Sequence, residues 1–238
     1  KGYDITVLKE NINHNHKRIV ELKSKDVKFV VLRKEYSKII NRCINAYYQI
    51  VKPYYNAPLF VFEEFLRKQK PSLVFISQGI NFDGLHYGQL CLKHNIKYFI
   101  VSHKAVHFYW PPKDEREYMT NVYKCALKCY FVSNHNQNLT EEQFGFRFNN
   151  AKVIRNPIKL KQSPLDYPST DQGFKLVTIG RLFIMDKGHD ILLRILAKDK
   201  WKKRDIYLSI VGDGPDYEGL KSMASLLNIK KLDFLGFH

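Results

Sequence analysis

The sequence predicts an α/β protein built from two doubly wound domains. Two observations support this prediction: short apolar runs alternate with amphipathic helical segments, and the alternation occurs twice, on either side of a polar stretch at residues 159–173. Apolar runs of this length are typical of parallel strands that helices cover on both faces. The chain has 238 residues, 45% of them hydrophobic, which suffices for two cores and excludes a disordered protein.

In the first domain, residues 1–158, short apolar runs predict strands and apolar residues at a period of 3.6 predict helices. Pro53 ends the helix before it, and Pro58 stands in the first turn of the next helix. We expect the apolar runs at 73–77 and 97–101 to be buried on both faces. The predicted strands are 3–8, 27–32, 73–77, 97–101, 129–132 and 153–154, and the predicted helices are 37–51, 58–67, 85–94, 115–127 and 138–144.

The second domain, residues 174–238, follows a polar segment with the composition of a linker, residues 159–173. Its pattern repeats that of the first domain on a smaller scale. Three strands are few for a partner of the first domain, so we expect the second domain to be incomplete. The predicted strands are 175–179, 206–211 and 232–235, and the predicted helices are 190–197 and 217–227.

The formal net charge of +16 indicates an anionic partner: nucleotide phosphates, nucleic acid or an acidic membrane surface. No apolar run approaches the ~18 residues of a membrane span, and no signal peptide opens the chain. We therefore expect a cytoplasmic protein, with association with the inner face of the membrane left open. A group of basic and aromatic residues has two possible roles: it forms an interfacial patch for an anionic membrane, or, as we favour, it is ordinary solvated charge. These residues are Lys38, Arg42, Tyr48, Lys52, Tyr54 and Tyr55.

The four cysteines are too sparse for a disulfide framework. Cys125 and Cys129 have no metal-binding partners at matching spacing, and we expect both to be small buried hydrophobes. His14 and His16 invite a metal-site hypothesis, but two histidines in a polar segment more often belong to an ordinary loop. The sequence therefore predicts no metal site.

Glycines and basic residues follow the first strand of the second domain. Gly180 and Arg181 come directly after it, and Lys187 and Gly188 follow six residues later. In an open parallel sheet, ligands bind at the carboxyl ends of the strands, and glycine there lets the backbone approach a ligand closely. A diphosphate needs charge neutralisation, which a forked guanidinium and a compact ammonium supply. A helix starting at Asp190 would add its N-terminal dipole to this anion site.

Glycine also follows the other two strands of this domain, as Gly212, Gly214 and Gly236. The segments at 176–182, 187–193, 210–215 and 234–236 together resemble the donor-site signatures of GT-B glycosyltransferases of the large retaining family-4 group, in the right order and at compatible spacing.

The first half extends the resemblance over most of the chain. Residues 126–135 resemble the final strand and following helix of that group's N-terminal domain, and residues 153–158 resemble its interdomain turn. Residues 77–84, together with Lys104-Ala105 before Trp110-Pro111, resemble a subgroup of bacterial surface-polysaccharide transferases. The resemblance implies two Rossmann-like domains, of which the first lacks its first strand and the second is truncated.

The resemblance also implies a reaction. A sugar would pass from a nucleotide-diphosphate donor to a glycan or lipid-linked acceptor with retention, and no tightly bound metal would be needed. Gly180, Arg181, Lys187 and Gly188 would bind the donor phosphates.

The donor nucleotide would contact four further residues: Gly212, Gly214, Leu235 and Gly236. His103 would be the catalytic candidate, as a group that binds the sugar or positions the acceptor hydroxyl, with His107 as its rival. The group's first glycine-rich loop and its Glu-x₇-Glu segment would lie before Lys1 and after His238, so we expect an incomplete donor pocket in this chain. Two alternatives follow: either the gene product is longer, or the fragment is inactive.

Two other classes of function remain open. A basic nucleic-acid-binding protein would account for the charge, but the basic residues are scattered and no nucleic-acid module is evident, so we expect no nucleic-acid partner. Another Rossmann-type enzyme, for example one that binds NAD, would place Gly-x-Gly-x-x-Gly at its first strand–helix turn. Gly212-Asp213-Gly214 lacks the third glycine.

Overall fold

The computed structural model describes residues 2–33, 57–157 and 173–237, together with seven others: Arg42, Cys43, Ala46, Tyr47, Asp166, Ser169 and Asp171. The chain separates into two compact units, Lys1–Lys159 and Leu160–His238. Most of the expected helix at 37–51, most of the linker at 159–173 and all of the basic and aromatic group except Arg42 lie outside the described residues.

The first unit alternates strands and helices as the sequence predicted, and every pairing between its described strands is parallel. A two-stranded sheet has the order β1-β2, and a four-stranded sheet has the order β3-β4-β5-β6. The elements are β1 Thr6–Lys9, α1 Lys17–Lys23, β2 Lys28–Val31, α2 Ala57–Gln69, β3 Val74–Gln78, α3 Leu85–Lys93, β4 Tyr98–Ser102, α4 Arg116–Cys125, β5 Lys128–Phe131, α5 Asn134–Phe144 and β6 Ala151–Val153.

One hydrophobic core serves both sheets of this unit. Ile76, Ile100 and Cys129 stand side by side in register across β3, β4 and β5, and all three are buried. Leu8 and Leu32, beside the two-stranded sheet, pack against the same cluster. Helices α3 and α4 cover the core, and they approach each other closely at Gly88 because a glycine there leaves room for the side chain of Val122.

The second unit is a three-stranded parallel sheet in the order β7-β8-β9 with helices between the strands. Its core is aliphatic and includes Leu182, Leu193, Leu208, Ile210 and Leu220. The elements are β7 Phe174–Ile179, α6 Ile184–Lys187, α7 His189–Leu196, α8 Asp199–Lys202, β8 Ile206–Val211, α9 Tyr217–Leu226 and β9 Leu232–Gly236.

Most predicted elements occur within one or two residues of their expected bounds, and the exceptions have local causes. Helix α5 begins at Asn134 rather than at 138, because the hydroxyl of Ser133 caps it by accepting a hydrogen bond from the Asn136 amide. The expected loop at His14–Arg18 instead leads into α1, with His16 as its N-cap. Residues 184–187, for which no element was predicted, form a short helix.

Two expectations about burial were wrong. Strand β3 is not buried on both faces: Phe75 is 64% exposed, although its ring packs beside Phe99. Of the two cysteines expected in the core, Cys129 is buried, and burial raises the pKa of its thiol to about 12. Cys125 is exposed at the last residue of α4, where its thiol contacts Asn121 Oδ1.

Candidate functional site

The ends of strands β7, β8 and β9 meet at one edge of the second sheet. The amide of Gly180 donates to the carbonyl of Val211 at 3.0 Å, and the amide of Gly212 donates to the carbonyl of Gly236 at 2.7 Å. These bonds continue the sheet beyond the strands, so that the glycine-bearing turns lie side by side. The structure thus brings together three segments that are far apart in the sequence.

Two of these glycines have no room for a side chain. A Cβ atom on Gly212 would lie 1.9 Å from the carbonyl oxygen of Gly180, and the φ angle of Gly212 is +141°. A Cβ atom on Gly214 would lie 2.4 Å from the carbonyl oxygen of Leu182. Their role in the folded chain is therefore close contact between turns, which fixes the shape of the edge.

Lys187 lies across the first of these turns. Its Cγ, Cδ and Cε atoms are 3.6–3.9 Å from the point where a Cβ atom of Gly180 would be. Arg181 is exposed beside it, with its guanidinium carbon 5.4 Å from the centre of the Phe183 ring. The two cations predicted to bind phosphate therefore flank one glycine at the carboxyl edge of the sheet.

The segment between the two cations is anchored at three points. The backbone of Leu182, whose side chain is fully buried, accepts from Asp216 and donates to the carbonyl of Asp213 at 2.9 Å. The amide of Ile184 donates to Asp216 Oδ2 at 2.8 Å, which satisfies a free amide at the start of α6. Sequence analysis missed this role of Asp216. Its position before α9 pointed to a cap of that helix, which its side chain does not form, and no local signal connected it to α6.

Helix α7 starts one residue earlier than expected, at His189. Gly188 precedes it with a φ of +62°, and it also ends α6. Asp190 forms an ion pair with Arg194 within α7, and the hydrogen bond from Arg194 lowers the pKa of Asp190. Asp190 thus lies in the first helical turn rather than at the helix start.

His189 is a feature that sequence analysis did not single out. Only 2% of its surface is exposed, and its Nδ1 atom has no hydrogen-bond partner among the described residues. Burial lowers the pKa of this imidazole, and the neighbouring charge of Lys187 lowers it further. The buried imidazole of His189 therefore follows Lys187 by two residues, and its lowered pKa favours the neutral form.

His103 lies in the first unit, immediately after β4. Its Nε2 atom is 3.2 Å from Ser77 Oγ at the end of β3, and its carbonyl oxygen accepts from Asn136 Nδ2 at 3.4 Å. The imidazole is exposed at the carboxyl edge of the four-stranded sheet. His107, the rival candidate, lies along the same loop, with its ring 5.3 Å from that of His135.

The two histidines that invited a metal hypothesis have other partners. His16 Nδ1 accepts from the Arg18 amide at 3.2 Å, and His14 Nδ1 is 2.9 Å from Lys23 Nζ. Within the described part of the chain, no group of three or more potential ligand side chains is arranged to hold a metal ion. No helix in the same residues is long and apolar enough to cross a membrane.

The comparisons with known proteins bear on the fold. No protein-family model matches the chain, and no curated protein matches it in sequence. Solved structures do match: the chain has the GT-B fold of glycosyltransferases, as predicted from the sequence, and it spans only part of that fold.

Three of these structures show the extent of the likeness. The lipopolysaccharide outer core galactosyltransferase WaaB, in its apo form, is 19% identical, with 90% of this chain and 54% of WaaB covered at a TM-score of 0.57. A glycosyltransferase from Rickettsia africae is 17% identical, with 99% of this chain and 60% of that protein covered at a TM-score of 0.59. Anabaena HepE, in complex with UDP and glucose, is 17% identical, with 99% of this chain and 69% of HepE covered at a TM-score of 0.59. The chain thus spans little more than half the length of the first of these proteins.

Proposed function

We propose that this chain is part of a glycosyltransferase that moves a sugar from a nucleotide-diphosphate donor to a glycan or lipid-linked acceptor in bacterial cell-surface polysaccharide synthesis. The GT-B fold supports the class of enzyme. One similar structure is a lipopolysaccharide galactosyltransferase, and another holds UDP and glucose. The proposal includes a cytoplasmic location, close to the inner face of the membrane when the acceptor is lipid-linked.

The donor site that we propose is the carboxyl edge of the second sheet, and the packing of Lys187 across Gly180 beside Arg181 is the observation that supports it. Because Gly180 has no side chain, a diphosphate could reach the backbone of this turn between an ammonium and a guanidinium group. Both cations would stabilise the negative charge that develops on the leaving diphosphate. They would do so without a tightly bound metal ion.

The nucleotide part of the donor would lie against the neighbouring turns. Gly212 and Gly214 shape the turn after β8, and Leu235 and Gly236 end β9 beside it. A flat base needs close approach to the backbone, which small residues at strand ends permit. We assign these four residues to nucleotide binding within the proposal.

His103 is the proposed catalytic candidate, and the proposed stereochemistry is retention. In a retaining front-face mechanism, the leaving phosphate would take the proton of the acceptor hydroxyl, so that no protein base would be required. The imidazole of His103 would then bind the sugar or orient that hydroxyl from the edge of the first sheet. Its contact with Ser77 holds the ring at that edge.

The test of the donor site is nucleotide binding to the full chain, measured as the rise in Tm with UDP, GDP, ADP or NAD. We expect at least one nucleoside diphosphate to raise Tm and NAD to have no effect. Arg181→Ala and Lys187→Ala should each weaken that binding about tenfold or more, because a hydrogen bond to a charged group contributes ~1.5–3 kcal/mol.

Lys221→Ala is the matched control, since Lys221 is exposed on α9 and its loss changes the charge equally. Undiminished binding in both site variants would show that the phosphates bind elsewhere. A response to NAD alone would instead favour a different Rossmann-type enzyme.

A further inference from the structure

The amino edge of the second sheet lies opposite the edge that carries the glycines and the cation pair. The first residues of β7 and β8 are paired, and the amide of Phe174 donates to the carbonyl of Asp205 at 2.8 Å. The amide of Leu208 donates at 2.9 Å to the carbonyl of Lys231, which directly precedes β9. The segments that lead into β7, β8 and β9 therefore lie side by side at this edge.

Two of these segments are strongly basic. Residues 198–205 contain five cationic and two acidic side chains, and residues 228–231 add two lysines, so these twelve residues hold +5 of the net charge of +16. All seven cations, which we call the amino-edge cations, are exposed. The segment before β8 contributes Lys198, Lys200, Lys202, Lys203 and Arg204. The segment before β9 contributes Lys230 and Lys231.

The fold itself neutralises little of this charge. Lys231 forms an ion pair with Asp205, and the guanidinium carbon of Arg204 lies 4.5 Å from the centre of the Trp201 ring. No ion pair within the described ranges joins the other six amino-edge cations to a carboxylate. The carboxyl end of a helix carries only about half a negative elementary charge, so the ends of α7, α8 and α9 offset a small part of the excess. The remaining positive charge is available to an anionic partner.

Exposed apolar side chains stand beside the amino-edge cations. Leu226, the last residue of α9, is 85% exposed, and Phe174, the first residue of β7, is 53% exposed. Trp201 lies among the cations in α8, with its side chain half-buried. These residues place apolar surface and positive charge at the same edge.

This combination favours a lipid surface over a nucleic acid. A nucleic acid binds through cations and through aromatic rings that stack on bases, and an exposed leucine adds nothing to either contact. A membrane that contains anionic lipids offers phosphate groups to the lysines and an apolar layer to Leu226 and Phe174.

We infer that the amino edge of the second unit binds the surface of a membrane that contains anionic lipids. The amino-edge cations lie against the headgroups, and Leu226 and Phe174 enter the boundary between headgroups and acyl chains. The inference goes beyond the proposed function, because the proposed donor site is at the other edge of the same sheet and does not need a membrane. It assigns a surface and a class of lipid where the proposed function names only a location.

Sedimentation of the full chain with vesicles tests the electrostatic part of the inference. The probes are vesicles of phosphatidylcholine alone and of phosphatidylcholine mixed with phosphatidylglycerol. We expect saturable binding to the mixed vesicles only, and release on addition of NaCl, because salt screens exposed charges. Lys200→Gln, Lys202→Gln and Lys203→Gln, combined in one variant, should weaken this binding at least about tenfold.

The matched control combines Lys17→Gln, Lys113→Gln and Lys221→Gln. It removes the same number of charges from exposed positions that are dispersed over the chain. We expect it to weaken vesicle binding less than about threefold, because dispersed cations cannot approach one flat surface together. Equal losses in the two triple variants would overturn the inference, and so would binding that does not depend on lipid charge.

Leu226→Gln tests the apolar part. It should weaken binding to the mixed vesicles at least about threefold, because less apolar surface leaves water. Val20→Gln, at an exposed position of α1, is its control and should have no effect. In a Trp110→Phe variant Trp201 is the only tryptophan, and its emission should shift to the blue with the mixed vesicles. An unchanged affinity in Leu226→Gln would contradict the insertion of apolar side chains.

Two further measurements separate this inference from its rivals. Binding of a single-stranded oligonucleotide through the amino-edge cations, without binding to vesicles, would identify a nucleic-acid surface and overturn the inference. The rise in Tm with a nucleoside diphosphate should be the same in the Lys200, Lys202 and Lys203 triple variant as in the unchanged protein. If that rise occurs and no vesicle binds, only the membrane surface is wrong. If vesicles bind as expected and no nucleotide raises Tm, only the donor proposal fails.

Discussion

Two glycines at the candidate donor edge have different surroundings that the sequence alone does not reveal. Gly180 and Gly212 each follow a strand directly, so the sequence predicts the same role for both: close approach of the backbone to a ligand. In the structure they differ: Lys187 packs over Gly180 at ordinary contact distance, whereas Gly212 meets the backbone of Gly180 directly. One glycine lies under a side chain, and the other holds two turns together.

This difference predicts losses of stability of different size for the same substitution. Gly212→Ala should lower the free energy of unfolding of the second unit by about 3 kcal/mol or more, because the new Cβ would overlap a carbonyl oxygen and the φ of +141° is strained for alanine. Gly180→Ala should cost under about 1 kcal/mol, because its Cβ would meet only carbons of Lys187 at 3.6 Å or more. Urea unfolding followed by Trp201 fluorescence measures both. Equal losses would contradict the packing of the edge.

His189 predicts a pH dependence of stability in the same unit. Burial keeps its pKa below the ordinary value, so the unfolded chain binds the proton more readily than the folded chain. The contribution of His189 to stability is therefore complete above the unfolded pKa of about 6.5 and declines as the pH falls through the interval down to the folded pKa. His189→Gln should remove that part of the decline in unfolding free energy between about pH 7.5 and 5.5, again followed at Trp201. An unchanged slope would show that His189 titrates freely.

At the scale of elements, the sequence predicted the strands well and the helix ends less well. Continuous apolar runs such as 206–211 match their strands because the period and length of the run define the element. Helix ends depend on single capping contacts. Ser133 starts α5 four residues before the apolar pattern begins, and Asp216 supports the start of α6 from a distant segment. The cap by Ser133 is formed by the residue next to the helix, whereas the contact of Asp216 with α6 joins residues far apart in the sequence.

The packing of α3 against α4 gives a prediction at this scale. A Cβ atom on Gly88 would lie 2.4 Å from Val122 Cγ1, and the β-branched Val122 has little freedom to move. Gly88→Ala should therefore destabilise the first unit by about 1–3 kcal/mol in spite of the higher helix propensity of alanine.

Gly219→Ala is the matched control for Gly88→Ala. Gly219 lies in α9, and nothing is within 4 Å of the point where its Cβ atom would be, so alanine there should stabilise the second unit by up to about 1 kcal/mol. The midpoints of urea unfolding of the two variants, compared with that of the unchanged protein, test both predictions. A gain in stability from Gly88→Ala would show that the two helices are farther apart than described.

At the scale of the whole molecule, the chain has the fold of proteins to which it is 17–19% identical, and no sequence-family model detects the relation. Parallel sheets covered by helices require apolar runs at strands, apolar stripes on helices and glycines at strand ends, but few particular residues. The positions that the sequence analysis used belong to this small set. This is why the fold could be predicted although the chain is only 17–19% identical to these solved structures.

The sequence by itself determined the class of fold, the order of strands and helices and the position of the cation pair beside glycine, because apolar period and turn chemistry are local properties of the chain. Only the tertiary structure decided which glycines meet, that Phe75 is exposed, that His189 is buried without a partner for its Nδ1 atom among the described residues, and that His103 contacts Ser77. These features join residues far apart in the sequence. They depend on the packing of side chains and turns in space, which a local pattern does not encode.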